Sequence, residues 1–502
     1  MNITLMFAVA LLVLRVALYA ARFWETPLVS GMLLPGVILF SFFLVLFLAA
    51  RAGKQLSEPF YSVSRKSWLI LFAIFLLALL LRVFMSGFQH LVLWDEFLHL
   101  NTAESLITTH RLGVCIFGAP SQPCELLIHS QYPGGYPVLL ALMFSVFGIS
   151  EAGALVFSVC LSALSAVLIF LLAYVMFRSE RIALSSALLL SLVPVLIIFS
   201  STTTPNATSL FFILLSMFFS VVFMRKRSFS LLALSCASLV FTSYIRHENT
   251  ILLFSAIPLA LLYYSGRYEE LFDVRKGLFF LLLALLMSPL LVVLQVNLSS
   301  PYWWSPDLVG LVGKSAPDIV QQIIARTISF VPKHASFWFG ASYHPLLFSV
   351  LFLAGCAFGL AKHRHQTLLL LSWFSLFFFF LIVFWPPFSY TDVRHAVIAY
   401  VPFVLLCSLG VEWLLEVSGR KRPVLASAAL AVFIFILLAT FFLTMKNLPL
   451  ISHPVNLATA RAMHSGSSLD ESCYVISYAP YAVISSMTVS YTHLTLPTKR
   501  IV

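Results

Sequence analysis

Charge is what this sequence has least of. Asp, Glu, Lys and Arg make up 10% of its 502 residues, whereas a soluble domain carries roughly 25%. So few charges cannot coat a water-facing surface of this size, which excludes a single soluble globule. Sustained apolar–polar alternation is also missing, and with it the signature of a transmembrane β-barrel. No internal repeat and no inverted pair of halves of the transporter kind is visible. Seven cysteines are present, and most lie inside apolar runs, where they read as packing residues. Cys115 and Cys124 differ, because both fall in one polar loop. If that loop is external, a disulfide between them is one reading and two free thiols the other.

What is present is hydrophobic: 61% of the residues, including 48 phenylalanines. The apolar residues form continuous runs near 20 residues, enough to cross about 30 Å of hydrocarbon at 1.5 Å per residue. The expected fold is an all-α polytopic membrane protein with about 13 transmembrane helices. The runs are 3–20, 28–50, 67–85, 151–177, 182–200, 206–224, 229–244, 249–265, 277–296, 344–361, 367–385, 396–416 and 423–443. The first has no basic start and carries Arg15 in its middle, so it reads as an uncleaved helix. Arg15 and Arg82 are the main in-span charges, and both are expected to snorkel.

The net charge of +11 does not point to nucleic acid, because the basic residues sit in short clusters between apolar runs. Loops 51–66, 178–181, 225–227, 266–276, 362–366 and 420–422 are basic and alternate with loops poor in Lys and Arg. The positive-inside rule puts the basic set in the cytoplasm. Loops 86–150, 201–205, 245–248, 297–343, 386–395 and everything after 443 then fall outside. That arrangement holds only if the apolar stretch 137–149 does not cross. About 13 residues is short for a span, so it is expected to be an external juxtamembrane or re-entrant helix.

The candidate chemistry lies in the external set. The first loop opens with Leu93-Trp94-Asp95-Glu96-Phe97-Leu98-His99. The run 95–108 reads as a helix on which Asp95 and His99 share a face, as do Glu96 and His99. A carboxylate at a low-dielectric boundary can act as a general base. The alternative is that both acids are wet residues at a helix N-terminus. The same three residues also leave open a divalent metal; no cofactor is otherwise indicated. Further on, Tyr132-Pro133-Gly134-Gly135-Tyr136-Pro137 leads into the short apolar helix, with Pro137 suited to a helix start. Arg246-His247-Glu248 sits between two spans, Asp392-Val393-Arg394-His395 precedes another, and loop 297–343 offers Lys314, Arg326, Lys333 and His334. Charges this close to hydrocarbon are costly unless paired or functional. Arg246 and Arg394 suit a phosphate at headgroup depth; alternatively they form structural ion pairs with Glu248 and Asp392.

The order of these features resembles the GT-C superfamily of glycosyltransferases, in particular the protein O-mannosyltransferase and aminoarabinose (lipid A) transferase-like families. A span, then Asp95-Glu96, then the aromatic and proline-rich segment from Tyr132 to Gly148, then many spans, is the pattern shared, over about 67–443. The resemblance implies a sugar donor on a polyprenyl phosphate and an acceptor that is a lipid, a glycan or a protein. It implies Asp95 as catalytic base with Glu96 beside it. His99, Tyr132, Arg246, Glu248, Arg394 and His395 would line the substrate and phosphate site. It also implies a multi-pass protein of the plasma membrane with its site on the extracytoplasmic face. One departure stands out: relatives often carry a second acid where this chain has Asn206. Either that acid is dispensable, or Glu248 or Asp392 substitutes, or the protein is inactive.

The expected organisation is a transmembrane hairpin over 1–66, a catalytic core over 67–443 with its first external loop at 86–150, the truncated opening of an external C-terminal domain over 444–488, and a non-native tail over 489–502 that resembles sequencing-adapter read-through. A multi-span transporter or lipid flippase, and a catalytically inactive GT-C-like protein, are the competing readings.

Overall fold

The computed structural model describes residues 27–86, 93–117, 126–128, 133–264, 273–299, 316–340, 342–384, 392–419 and 423–447. The expected first span, the segment after 447, Tyr132 and Cys124 lie outside the described residues. Helices account for nearly all of what is described. They include α1 (Pro27–Arg51), α2 (Arg65–Met85), α3 (Leu93–Thr109), α4 (Gly135–Phe147), α5 (Glu151–Phe177), α6 (Glu180–Ser191), α7 (Pro194–Ile198), α8 (Asn206–Lys226) and α9 (Phe229–Ile245), with a single short turn of helix over Gly53–Ser57 between α1 and α2. After these come α10 (Ala256–Tyr264), α11 (Val274–Ser299), α12 (Ala316–Phe339), α13 (Leu346–Lys362), α14 (Arg364–Phe384), α15 (Val397–Gly419) and α16 (Pro423–Asn447). A small antiparallel pair, β1 (Val114–Phe117) with β2 (Leu126–Ile128), lies in the loop before α4. Cys115 stands in β1. Among the described residues, five helices are long and apolar enough to cross a membrane, and a bent pair makes six.

Four of the six basic loops, those at 51–66, 178–181, 225–227 and 362–366, gather at one end of the bundle. Two helical hairpins there turn through the same dipeptide: Arg178 and Arg227 close α5 and α8 in the left-handed conformation, with φ of 55° and 47°. Ser179 and Ser228 follow and cap α6 and α9 by accepting from the amides of Ile182 and Leu231. Helix ends leave carbonyls and amides unpaired, and the basic residues answer this. Arg178 donates to the carbonyl of Pro59 at 3.3 Å, and Arg225 to that of Met176 at 3.1 Å. Glu180 accepts from the Ser64 amide and hydroxyl at 2.9 and 2.7 Å. Lys226 pairs with Glu58, and Lys362 with Glu416. Loops 51–66, 178–181, 225–228 and 362–366 are thereby tied into one layer, with His363 edge-on to Phe177.

Helix α4 starts and finishes at the opposite end. The Tyr136 hydroxyl lies 3.3 Å from Ser158, two turns into α5, while Met143 packs against Gly153 in its first turn. α4 therefore runs antiparallel along the opening of α5 rather than through the bundle, and Val146 and Phe147 project from its tip.

Four features differ from the sequence expectation. The run 182–200 is not straight: α6 and the stretch that opens with α7 meet at 61°, because Pro194 has no amide to donate and starts a new helix. The run 249–265 is a 3-10 turn over His247–Ser255 followed by α10. Pro258 fits only in the first turn of α10, and the Asn249 side-chain Nδ2 donates to the Thr242 carbonyl at 2.9 Å across the turn. Arg82 does not snorkel. It is wholly buried and donates to Ser162 Oγ at 2.7 Å and to the Ala78 carbonyl at 3.0 Å. Finally, the loop 297–343 contains the 24-residue helix α12.

Glycine sets the closest approach, between α13 and α15. A Cβ on Gly355 would lie 1.8 Å from the Leu406 carbonyl oxygen, and one on Gly410 would lie 2.2 Å from that of Leu351. Small residues let membrane helices pack backbone to backbone. Gly355→Ala is expected to destabilise the protein by about 1–3 kcal/mol, read as a lower thermal midpoint in detergent. Gly277→Ala, in α11 where a Cβ would meet nothing within 4 Å, leaves the midpoint unchanged or raises it.

Candidate active site

At the end opposite the basic layer, four segments bring charged and polar side chains together. The first turn of α3 contributes Asp95, Glu96 and, one turn on, His99. The stretch 200–206 between α7 and α8 contributes Thr203, Thr204 and Asn206. The turn after α9 contributes Arg246 and Glu248, and the 3-10 turn Asp392–Ala396 contributes Arg394 and His395. Asp95, Glu96, His99, Asn206, Arg246, Glu248 and His395 are all buried. A buried charge must be paired and hydrogen-bonded, and each carboxylate here has a distinct partner.

Asp95 forms an ion pair with Arg394, from a segment 299 residues away. The expected alternative pairing of Arg394 was with Asp392, whose side chain lies outside the described ones. Glu96 is wholly buried and accepts from the amide and hydroxyl of Thr203 at 3.1 and 3.3 Å. Glu248 receives Arg246 in a two-pronged pair, Nε to Oε2 at 3.0 Å and Nη2 to Oε1 at 2.6 Å. The backbone explains that geometry: Arg246 leaves α9 in an extended conformation (φ −148°, ψ 144°), so its side chain folds back over the turn onto the residue two positions on.

Asn206 joins the two halves. Its Oδ1 accepts from Arg246 Nη1, and its Nδ2 donates to Thr204 Oγ1 at 2.7 Å, which in turn lies 2.6 Å from Thr202 Oγ1. An amide does here what a carboxylate cannot, since it accepts from a guanidinium and donates to a hydroxyl at once. His395 Nδ1 faces both Arg246 Nη2, at 2.9 Å, and Glu248 Oε1. One tautomer accepts from the arginine and the other donates to the carboxylate.

His99 packs edge-on against Tyr136, with ring centroids 5.3 Å apart. Burial drives its pKa down to about 4, against the opposing pull of Asp95, so the ring is neutral at pH 7. Burial also pushes the Tyr136 phenol up. Gly135 seats the start of α4: a Cβ there would lie 2.5 Å from the Tyr244 carbonyl oxygen, just before Arg246. Among the described residues no group of three or more His, Cys, Asp or Glu is arranged to hold a metal ion.

The structure thus brings Asp95, Glu96, His99, Asn206, Arg246, Glu248, Arg394 and His395 into one neighbourhood. Thr203, Thr204 and Asn249 were not expected from sequence. Asn249 exchanges hydrogen bonds with Ser209 at 3.0–3.1 Å and fixes the turn that carries Arg246 and Glu248. The available signal was the run Ser200 to Asn206, polar throughout except for Pro205, lying between two apolar stretches.

The chain is similar to two sets of known proteins. Residues 132–294 match the family model of dolichyl-phosphate-mannose-protein mannosyltransferases. The fold is similar to the crystal structure of the apo oligosaccharyltransferase of Archaeoglobus fulgidus, with a TM-score of 0.51 at 14% identity, over 82% of this chain and 59% of that one. The same archaeal protein in complex with Zn and sulfate gives 0.50 at 15% identity, over 82% and 57%. This chain therefore spans less than two thirds of the archaeal protein's length. No curated protein sequence matches it. The family-model match and the shared fold bear out the resemblance drawn from the sequence: this is a membrane protein with the GT-C glycosyltransferase fold.

The buried, neutral His99 makes stability depend on pH. In the unfolded chain its ring takes a proton below about 6.5, whereas in the folded protein it does so only near 4. Its contribution is therefore complete above pH 6.5 and is lost as the pH falls from 6.5 toward 4, by up to roughly 3 kcal/mol. Thermal unfolding at pH 7 and pH 5 is expected to show this loss in the native chain and a smaller one in His99→Gln.

Proposed function

We propose that this protein is a membrane glycosyltransferase that moves a sugar from a polyprenyl-phosphate donor to a lipid, glycan or protein acceptor. One observation carries the reading: two adjacent carboxylates and two arginines, from segments far apart in sequence, converge at the end of the bundle away from the basic loops. Displacement at an anomeric carbon needs a base on the acceptor and positive charge at the leaving phosphate. Asp95 takes the acceptor proton. The acceptor oxygen bonds to the anomeric carbon, the bond from that carbon to the phosphate oxygen breaks, and polyprenyl phosphate leaves with the electron pair. A single displacement of this kind inverts the anomeric centre. Arg394 and Arg246 receive the phosphate, while Glu96, held by Thr203, lies next to Asp95. Glu248 supplies the acid that Asn206 lacks. Tyr132 and His395 complete the donor side. The donor class is supported by the dolichyl-phosphate-mannose of the matched family.

The proposed topology has about 13 spans, with the hairpin 1–66 ahead of a catalytic core over 67–443. The clustering of the basic loops supports one cytoplasmic end, by the positive-inside rule. The charged cluster, α4 and the β1–β2 pair then lie on the outer face of the plasma membrane, and the segment after 443 is external. An outer-face site leaves a disulfide between Cys115 and Cys124 open.

Membranes containing the native chain, given labelled polyprenyl-phosphate sugars, are expected to transfer label to an acceptor. Asp95→Asn is expected to cut transfer by about 10²–10⁴-fold with insertion unchanged, and Arg394→Ala to raise the KM for donor. Transfer retained in Asp95→Asn contradicts the assigned base. Label that crosses the membrane without forming a new glycoside favours a transporter.

A further inference from the structure

Helix α12 presents an apolar stripe that none of the described residues covers. Val320, Ile324 and Ile328 recur every four residues, so they stack along one side, and they are 55%, 54% and 71% exposed. Asp318 and Ser329 fall more than a quarter-turn away on the other side and are also exposed. The last turn of α12 is anchored instead. Phe337 and Trp338 are buried, and the Trp338 ring lies 5.0 Å from Tyr400, 4.9 Å from Phe403 and 5.2 Å from Phe374. His344 Nε2 and Ser349 Oγ meet the Trp338 carbonyl at 2.5 and 3.1 Å. These contacts pin α12 to α13, α14 and the start of α15.

We infer that α12 lies in the plane of the bilayer surface with Val320, Ile324 and Ile328 dipped into lipid. The occupant is argued from the neighbours. α13 exposes Leu346, Val350 and Leu353 at spacings of four and three, and α14 exposes Leu368, Leu369 and Leu376. Apolar faces of that kind on helices of an apolar bundle are covered by acyl chains, and the helix packed against them continues the same surface. A 24-residue helix with one apolar and one polar side is the form that settles at the headgroup boundary, and α12 carries too many polar residues to cross. The consequence is a depth gauge. Trp338 fixes α12 to Tyr400, and Arg394 stands six residues ahead of Tyr400, roughly 9 Å along the helix axis. A surface-bound α12 therefore holds Arg394 and Asp95 at headgroup level, independently of what reaction the site performs.

The test uses the full chain in phosphatidylethanolamine–phosphatidylglycerol vesicles, spin-labelled one position at a time in a background without reactive native cysteines. Ile324→Cys and Ile328→Cys are expected to collide with oxygen more than with a water-soluble nickel chelate, as Leu353→Cys on α13 does. Ser329→Cys shows the reverse ratio. Two results overturn the inference: nickel access at 324 and 328 equal to that at 329, which puts the stripe in water, or protection from both agents, which puts it against a protein partner or a second copy.

Discussion

The structure depends on one constraint: carboxylates and arginines buried at the end of an apolar bundle must be ion-paired or hydrogen-bonded. Asp95 with Arg394, Glu248 with Arg246 and Glu96 with Thr203 are three answers to that demand, and Asn206 ties the second to the threonine loop. Removing one member of a buried pair costs several kcal/mol, because the other is left charged in a low dielectric. Irregular backbone at membrane depth is tolerated only where protein covers it and satisfies its polar groups. Among the described residues, the α6–α7 break and the turn over 200–206, both buried, are of this kind. At the opposite end, two hairpins turn in two residues through Arg-Ser.

This pairing also bears on chemistry. Both arginines suited to a phosphate are engaged by carboxylates in the ligand-free chain. In the proposed reaction, a phosphate arriving at Arg394 would exchange one anion for another and leave Asp95 free to act as base. His395 stands where Arg246 and Glu248 meet, and its two tautomers favour one or the other.

The membrane class and the positions of many of the described helices were legible in the sequence, because run length and the placement of Lys and Arg answer directly to the bilayer. Asp95, Glu96, Arg246 and Arg394 were legible as charges with no cheap reason to sit at hydrocarbon depth. Partner choice was not: Arg394 looked local to Asp392, but only the tertiary fold brings it to Asp95. The threonines at 202–204 were hidden because a neutral hydroxyl near a span is common and says nothing until its acceptor is known. Helix α12 was hidden because its amphipathic period lies in a stretch whose polarity reads as a loop, and the breaks at Pro194 and near Pro258 lie inside runs of nearly uninterrupted hydrophobicity.

The most direct test of the central claim is an experimental structure of the full chain with a polyprenyl phosphate bound. The account predicts the phosphate between Arg394 and Arg246, with Asp95 separated from Arg394 and Glu96 still held by Thr203. A phosphate bound elsewhere, with the Asp95–Arg394 and Arg246–Glu248 pairs intact, would contradict it and leave the cluster a structural clamp.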